Sequence, residues 1–178
     1  MAIEHTLLGL LEREPRHGYD LAREFTGGTV LGEIVHLEPS MLYAYLKKLE
    51  GSGQVRSVVQ TQGSRPPRKV FELTDDGEQA LVAWLTEPVE HTRDLRLEFL
   101  LKLAIARERP GTPDADADAA IARLIERQHA VCDRFVESLK SQLADEADEF
   151  KRLVIEMRLA QNQALLDWLA RARERVST

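Results

Sequence analysis

A change of hydrophobic period within the first 90 residues limits the fold of this chain more than any other feature. Leu7, Leu8, Leu10 and Leu11 open with a short apolar helix pattern that stops at Pro15. The run HGYDLAREF then puts Leu21, Ala22 and Phe25 at helical spacing, and Gly27-Gly28 ends it. The segment EPSMLYAYLKKLEGSG carries proline just inside its start and glycine just past its end, the asymmetry of a helix of about three turns. Residues 55–62 and 68–73 read as strands, rich in Val and Phe, joined by a loop containing Gly, Ser and Pro. Thr74 is placed to cap a returning helix. Its first turn holds Asp75 and Asp76, favourable at the positive dipole end, and its apolar positions are Ala80, Leu81, Trp84 and Leu85. Three short helices, a two-stranded ribbon and a returning helix follow one another in the order of a winged helix-turn-helix.

The second half is different in kind, which sets expected domains at residues 1–88 and 89–178. Leu95, Phe99, Leu100, Leu103 and Ala104 share one helical stripe across residues 94–107. After a break at RPGTP, with Thr112 and Pro113 placed to start a helix, apolar groups recur to about residue 143 at Ile121, Leu124, Ile125, Val131, Phe135 and Leu139. A last helix near 146–175 repeats the pattern with Phe150, Leu153, Val154, Met157, Ala164, Leu165, Trp168 and Leu169. Two such helices joined by a short acidic bend predict an antiparallel hairpin. One hairpin leaves much of these stripes in water, so a second copy of the chain is the expected cover, giving a homodimer. The fold class is mainly α with a small β-ribbon: a winged helix-turn-helix followed by a long-helix dimerisation domain.

Composition adds limits. At 43% hydrophobic and 30% charged, the 178 residues suit a packed chain. No apolar run approaches the roughly 18 residues of a membrane span, and the N-terminus lacks a secretory apolar region. The single cysteine, Cys132, has no internal disulfide partner, and a cytoplasmic location is expected. The net charge is −6, yet residues 47–69 hold Lys47, Lys48, Arg56, Arg65, Arg68 and Lys69 against Glu50 alone. That window is therefore +5 and the remainder −11. The charge asymmetry is local and large.

On the third helix, Leu42, Tyr45, Leu46 and Leu49 sit at i, i+3, i+4 and i+7 and form the stripe to be buried. Ser40, Ala44 and Lys47 project from the opposite side, with Tyr43 and Lys48 on its flanks. Small, hydroxyl and cationic groups together can approach a phosphate-lined groove and donate hydrogen bonds there. A solvated helix face needs no ligand, and by itself this one would be read so. The basic loop beside it changes the balance. Pro66-Pro67 holds Arg65 and Pro66 extended, and a stiff tip loses less entropy on entering a narrow groove. Charges that merely keep a turn in solution would account for the arginines but not for the double proline.

The runs HGYDLAREF, EPSMLYAYLKKLEGSGQV and SRPPRKVFELTDDGEQAL resemble the PadR family of winged-helix transcriptional regulators. RDLRLEFLLKLAIA and the long helix pair resemble that family's larger, virulence-regulator type of C-terminal dimerisation domain, so the resemblance covers essentially the whole chain. It implies a dimeric regulator, usually a repressor, that binds inverted repeats in double-stranded DNA and often releases them on meeting a small molecule. It also implies that Tyr43 and Lys47 contact DNA from the recognition helix, and Arg65, Arg68 and Lys69 from the wing. Two positions depart from the family's pattern. Glu38 stands where a Ser or Thr helix cap is common, and Ser40-Met41 where Gly or Ser with Thr is common.

Other residues carry less. Asp114, Asp116 and Asp118 mimic the start of a calcium loop, but no glycine follows at its sixth position and Ile125 stands where the bidentate Glu belongs. The five histidines lack metal-site spacing. No cofactor, no metal and no enzymatic activity are expected. Cys132 reads as core. Trp84 and Trp168 read first as core packing, and second as the lining of a pocket for a hydrophobic effector. A different class stays open: a winged helix kept as a protein-interaction scaffold, which would gain nothing from the +5 window.

Overall fold

The computed structural model describes residues 1–60, 68–109 and 113–176. Helix α1 (Ala2–Arg13) leads into a two-residue strand β1 (Arg16–His17) and helices α2 (Gly18–Arg23), α3 (Val30–Ile34) and α4 (Pro39–Gly51). Strands β2 (Val55–Gln60) and β3 (Arg68–Leu73) follow, then α5 (Asp75–Thr86). All three strands are antiparallel, in the order β1-β3-β2, with Arg16 opposite Phe71 and Val58 opposite Val70. This is the winged helix-turn-helix, with β2 and β3 as the wing. Two of its elements, β1 and α3, have no counterpart in the sequence pattern, and β2 ends at Gln60, with residues 61 and 62 outside the described set.

Local chemistry explains where these elements begin and end. The Thr74 side chain accepts from the Gly77 amide at 3.2 Å and donates to the Gly53 carbonyl at 2.7 Å. One hydroxyl thus caps α5 and ties it to the turn after α4. Gly53 has φ of 75°, a left-handed conformation that glycine adopts without a Cβ penalty. Glu38 is the N-cap of α4 but makes no side-chain cap bond; its carboxylate lies 3.1 Å from His36 Nε2. Pro39 at the first helical position starts the helix instead.

The stretch that periodicity presents as one helix over 94–107 is three pieces: a 3₁₀ turn (Thr92–Asp94), a π turn (Leu95–Phe99) and α6 (Leu100–Arg107). The widened π turn rotates the face that follows it. Leu101, Lys102, Ile105 and Ala106 are buried, whereas Leu100, Leu103 and Ala104 are half-buried. Helices α7 (Asp114–Asp145) and α8 (Glu149–Val176) then form the expected hairpin. Its acidic bend is a cap: Asp148 Oδ1 accepts from the Lys151 amide at 2.9 Å, and Arg152 Nη1 donates to the Leu143 and Glu146 carbonyls. On α7 the fully buried groups in the middle of the stripe are Cys132 and Val136, each one residue beyond the expected Val131 and Phe135, which are half-buried. Thr112 lies outside the described residues, and so does the side chain of Asp114.

A single buried core joins the two halves. Leu7, Leu8 and Leu11 of α1 belong to one cluster with Leu42, Leu46 and Leu81 of the head and with Phe99, Ile125 and Leu169 beyond it. Polar contacts pin the end of α5 and the segment after it to α6 and α7. Arg127 donates to the Thr86 carbonyl at 2.7 Å, Lys102 to the Glu87 carbonyl at 2.6 Å, and Gln128 bonds both the amide and the carbonyl of Val89. Arg109 makes a forked contact with Glu12 of α1.

Candidate nucleic-acid interface

Helix α4 sorts its side chains as its period requires. Leu42, Leu46 and Leu49 are buried and Tyr45 is half-buried, while Ser40, Tyr43, Ala44, Lys47 and Lys48 are exposed. Tyr43 keeps 49% of its surface in water although its ring leans on α2. The same turn of the fold brings the start of β3 close by. Tyr43, Arg68 and Lys69 line one groove of 530 Å³ with His17, Gly18, Tyr19 and Asp20.

The cations of this region fall into two sets. Lys48 Nζ donates to Glu4 Oε1 of α1 at 2.5 Å, Arg56 Nε to Glu72 Oε2 at 2.7 Å, and Lys69 Nζ to Glu50 Oε2 at 2.8 Å. Hydrogen bonds from Lys69 and then Ser57 hold the Glu50 carboxyl below its ordinary range. Lys69 Nζ also stands 5.2 Å from the Phe71 ring centroid. Lys47 and Arg68 make no ion pair among the described residues. Among the described cations of α4 and the wing, these two are the ones without a carboxylate partner. Arg65 and Pro66-Pro67 lie outside the described residues.

Sequence reasoning misses His17, Gly18 and Tyr19 as neighbours of this face. The spacing of HGYDLAREF shows only a helix, yet β1 pairs with β3 and carries that turn to the foot of the wing. The His17 ring places Nδ1 3.3 Å from the Lys69 carbonyl. The signal available is Tyr19, an aromatic off the stripe of Leu21, Ala22 and Phe25, which the fold leaves 70% exposed.

The two tryptophans are apart from this face and are engaged by protein. Trp84 is buried, stacks on His5 with centroids 5.3 Å apart, donates from Nε1 to Glu98 at 2.8 Å and has Lys102 Nζ over its ring. Burial lowers the Lys102 pKa from its ordinary value, against the opposing pull of Glu98 and Glu87. Trp168 is half-buried with its ring edge-on to Phe99 at 6.2 Å. A 640 Å³ cleft is lined by Arg93, Arg96, Phe135, Arg158 and the buried Asn162 among others, and by neither tryptophan. Cys132 is fully buried, and burial pushes its thiol pKa up. Among the described residues no group of three or more His, Cys, Asp or Glu could hold a metal ion, and no helix is long and apolar enough to cross a membrane.

Residues 7–83 match the family described as Transcriptional regulator PadR-like family. The chain is 32% identical over 93 residues to the Probable transcriptional regulator Rv1176c of Mycobacterium tuberculosis, covering 52% of this chain and 48% of that one. It is 33% identical over 102 residues to the Negative transcriptional regulator PadR of Bacillus subtilis, covering 56% and 54%. The chain thus spans about half the length of these two relatives. A crystal structure of Bacillus subtilis PadR in complex with operator DNA aligns over 99% of both chains at 22% identity with a TM-score of 0.49.

Proposed function

We propose, from the premise that this chain carries a PadR-like family domain over residues 7–83, that it is a homodimeric transcriptional repressor that binds an inverted-repeat operator in double-stranded DNA. The observation that carries this reading is one juxtaposition. Ser40, Tyr43 and Lys47 stand on the water-facing side of α4, opposite its buried leucines, and Arg68, which makes no ion pair among the described residues, shares a groove with Tyr43 at the foot of the wing. A helix of this size fits the major groove, where base edges present a readable pattern of donors and acceptors. Arginine at the base of a ribbon suits phosphates and the minor groove, which position the protein without reading sequence. Repression is the sign favoured by the related negative regulator. The homodimer rests on an exposed apolar stripe of α8, Phe150, Leu153, Val154 and Met157. Two heads related by one two-fold axis would read half-sites about one helical turn apart.

Release by a hydrophobic small molecule belongs to the same reading, with Trp84 and Trp168 as its candidate contacts. Such an effector must bind the free and DNA-bound forms with different affinity, or it shifts nothing. A full response to an identified effector in a Trp84→Ala, Trp168→Ala variant with unchanged DNA affinity would exclude these two residues.

The test is selection of bound sequences from a random duplex pool with the full chain. A palindromic consensus is the expected result. Failure to enrich any sequence, with no binding of duplex at low salt, would move the protein-scaffold reading ahead.

A further inference from the structure

The close approach of α2 to α4 is concentrated at one residue. A Cβ built on Gly18 would stand 2.5 Å from Tyr43 Cε1 and 2.9 Å from its hydroxyl oxygen. Real Cβ atoms do not come that near, so the Tyr43 ring occupies the space that any side chain at position 18 would need. The atoms met are all side-chain atoms of one partly exposed ring, so the ring, and not the backbone, would give way. The backbone of Gly18 asks for nothing special. Its φ is not positive, and it opens α2, a position open to other residues. What a side chain here would displace is the ring.

The ring it seats is one that the DNA-binding reading uses. Tyr43 lies on the exposed side of α4, and the groove beside it is bounded by Tyr19 and Arg68. Laid against α2, Tyr43 leaves that groove open between α2 and the wing. Asp20, also on its lining, keeps the groove from being uniformly cationic, and Lys69 there is paired with Glu50, so the tyrosine hydroxyls and Arg68 are chief among the groups it offers an anion.

We infer that Gly18 is a positioning residue of the DNA interface: it seats the Tyr43 ring against α2 and thereby sets how α4 and the adjoining groove meet the duplex. This inference rests on the DNA-binding reading above. It assigns to the HGYD turn a role in recognition that acts through Tyr43 and not through any contact of its own.

A double-mutant cycle on the full chain tests it, with Gly18→Ala, Tyr43→Ala and the double variant measured by fluorescence anisotropy on the selected duplex and on a random duplex. Gly18→Ala should weaken binding to the selected duplex by about tenfold in the Tyr43 parent and by less than about twofold in the Tyr43→Ala background. Melting should be unchanged or slightly raised, because alanine is the better helix former. A residue that matters only to the fold would lower the melting temperature and act equally in both backgrounds. Equal effects in the two backgrounds, or no effect in either while the parent binds tightly, overturn the inference and leave the DNA-binding reading standing. A parent that binds no duplex removes both. If Gly18→Ala alone fails to fold, the double variant has shed the obstructing ring. Folding of the double variant with the affinity of Tyr43→Ala then supports the inference, and its failure to fold overturns it.

Discussion

Lys48 Nζ sits 2.5 Å from Glu4 Oε1, and the two side chains differ sharply in exposure, 68% for the lysine and 8% for the glutamate. A residue that the helical wheel of α4 places on the flank of its exposed face is thus anchored to a buried carboxylate of α1. Glu4 also lies 3.4 Å from the terminal amine of Met1. Burial alone would raise the Glu4 pKa, but the Lys48 hydrogen bond and the Met1 amine outweigh it and hold the carboxyl below its ordinary value. Lys48→Ala should therefore cost stability, about 1 kcal/mol near neutral pH once solvent screening of the exposed ammonium is allowed for. The sign with pH follows from the lowered pKa. The contribution is fully present above the ordinary carboxylate value and is lost as pH falls through the folded one. Chemical denaturation of parent and variant across a pH series should show a gap at neutral pH that closes in acid. DNA affinity of Lys48→Ala should fall less than that of Lys47→Ala, whose ammonium has no such anchor among the described residues.

Recognition helix and wing should fail differently. Lys47→Ala, if it removes a base contact, should cost on the order of 1–3 kcal/mol on the operator and less on random DNA. Arg68→Ala should weaken both duplexes alike and flatten the slope of log affinity against log salt by about 0.9 for the one phosphate it no longer neutralises. Lys69→Ala should do less, since Glu50 already opposes that charge. Anisotropy over a salt series with both duplexes separates the three. A wing variant lacking Arg65, Arg68 and Lys69 that kept the parent's slope and affinity would reduce the basic loop to a soluble turn.

The stripe Phe150, Leu153, Val154 and Met157 runs at i, i+3, i+4 and i+7 along α8 and faces away from the hairpin's own buried seam of Ile155, Leu166 and Leu169. Phe150 and Met157 are 75% and 64% exposed. Covered by a second copy across a two-fold axis, each side chain would count twice. Burying one such group is worth about 1.5–3 kcal/mol, so Leu153→Glu with Met157→Glu should convert a dimer into a monomer at micromolar concentration. Sedimentation equilibrium reads this directly. A parent already monomeric there would refute the dimer.

Cys132 is closed off from water: it lies in the buried core on α7 with Gln128 Nε2 3.8 Å from its sulfur, and burial raises its pKa. Alkylation of the native protein at about pH 8 should run about 10²-fold slower than in denaturant, because the thiolate is both scarce and covered. Fast labelling of the folded chain would show that the core around α7 opens.

Much of this molecule is legible in one dimension. The cap at Thr74, the helix start at Pro39, the buried Leu42, Leu46 and Leu49, the outward Ser40, Tyr43 and Lys47, and the α7–α8 hairpin all follow from spacings within a single contiguous segment. A helix or strand imposes its period on every residue it contains, so the sequence by itself determined these elements and the faces they turn outward. Tertiary structure decided whatever depends on a neighbour remote in the chain. At two and five residues, β1 and α3 are too short to display a period, and β1 exists through its pairing with Phe71 and Val70 of β3. The π turn at Leu95–Phe99 rotates the apolar face of α6, and no periodicity in the sequence marks it. In sequence Lys48 and Lys69 are simply cations near a basic loop; the fold brings Glu4 and Glu50 to them from 44 and 19 residues away. Nothing local distinguishes Gly18, and only the packing of α4 lays Tyr43 over it. Periodicity is a property of the backbone and survives in sequence, whereas the partner of a charge or a ring is set by how the elements pack.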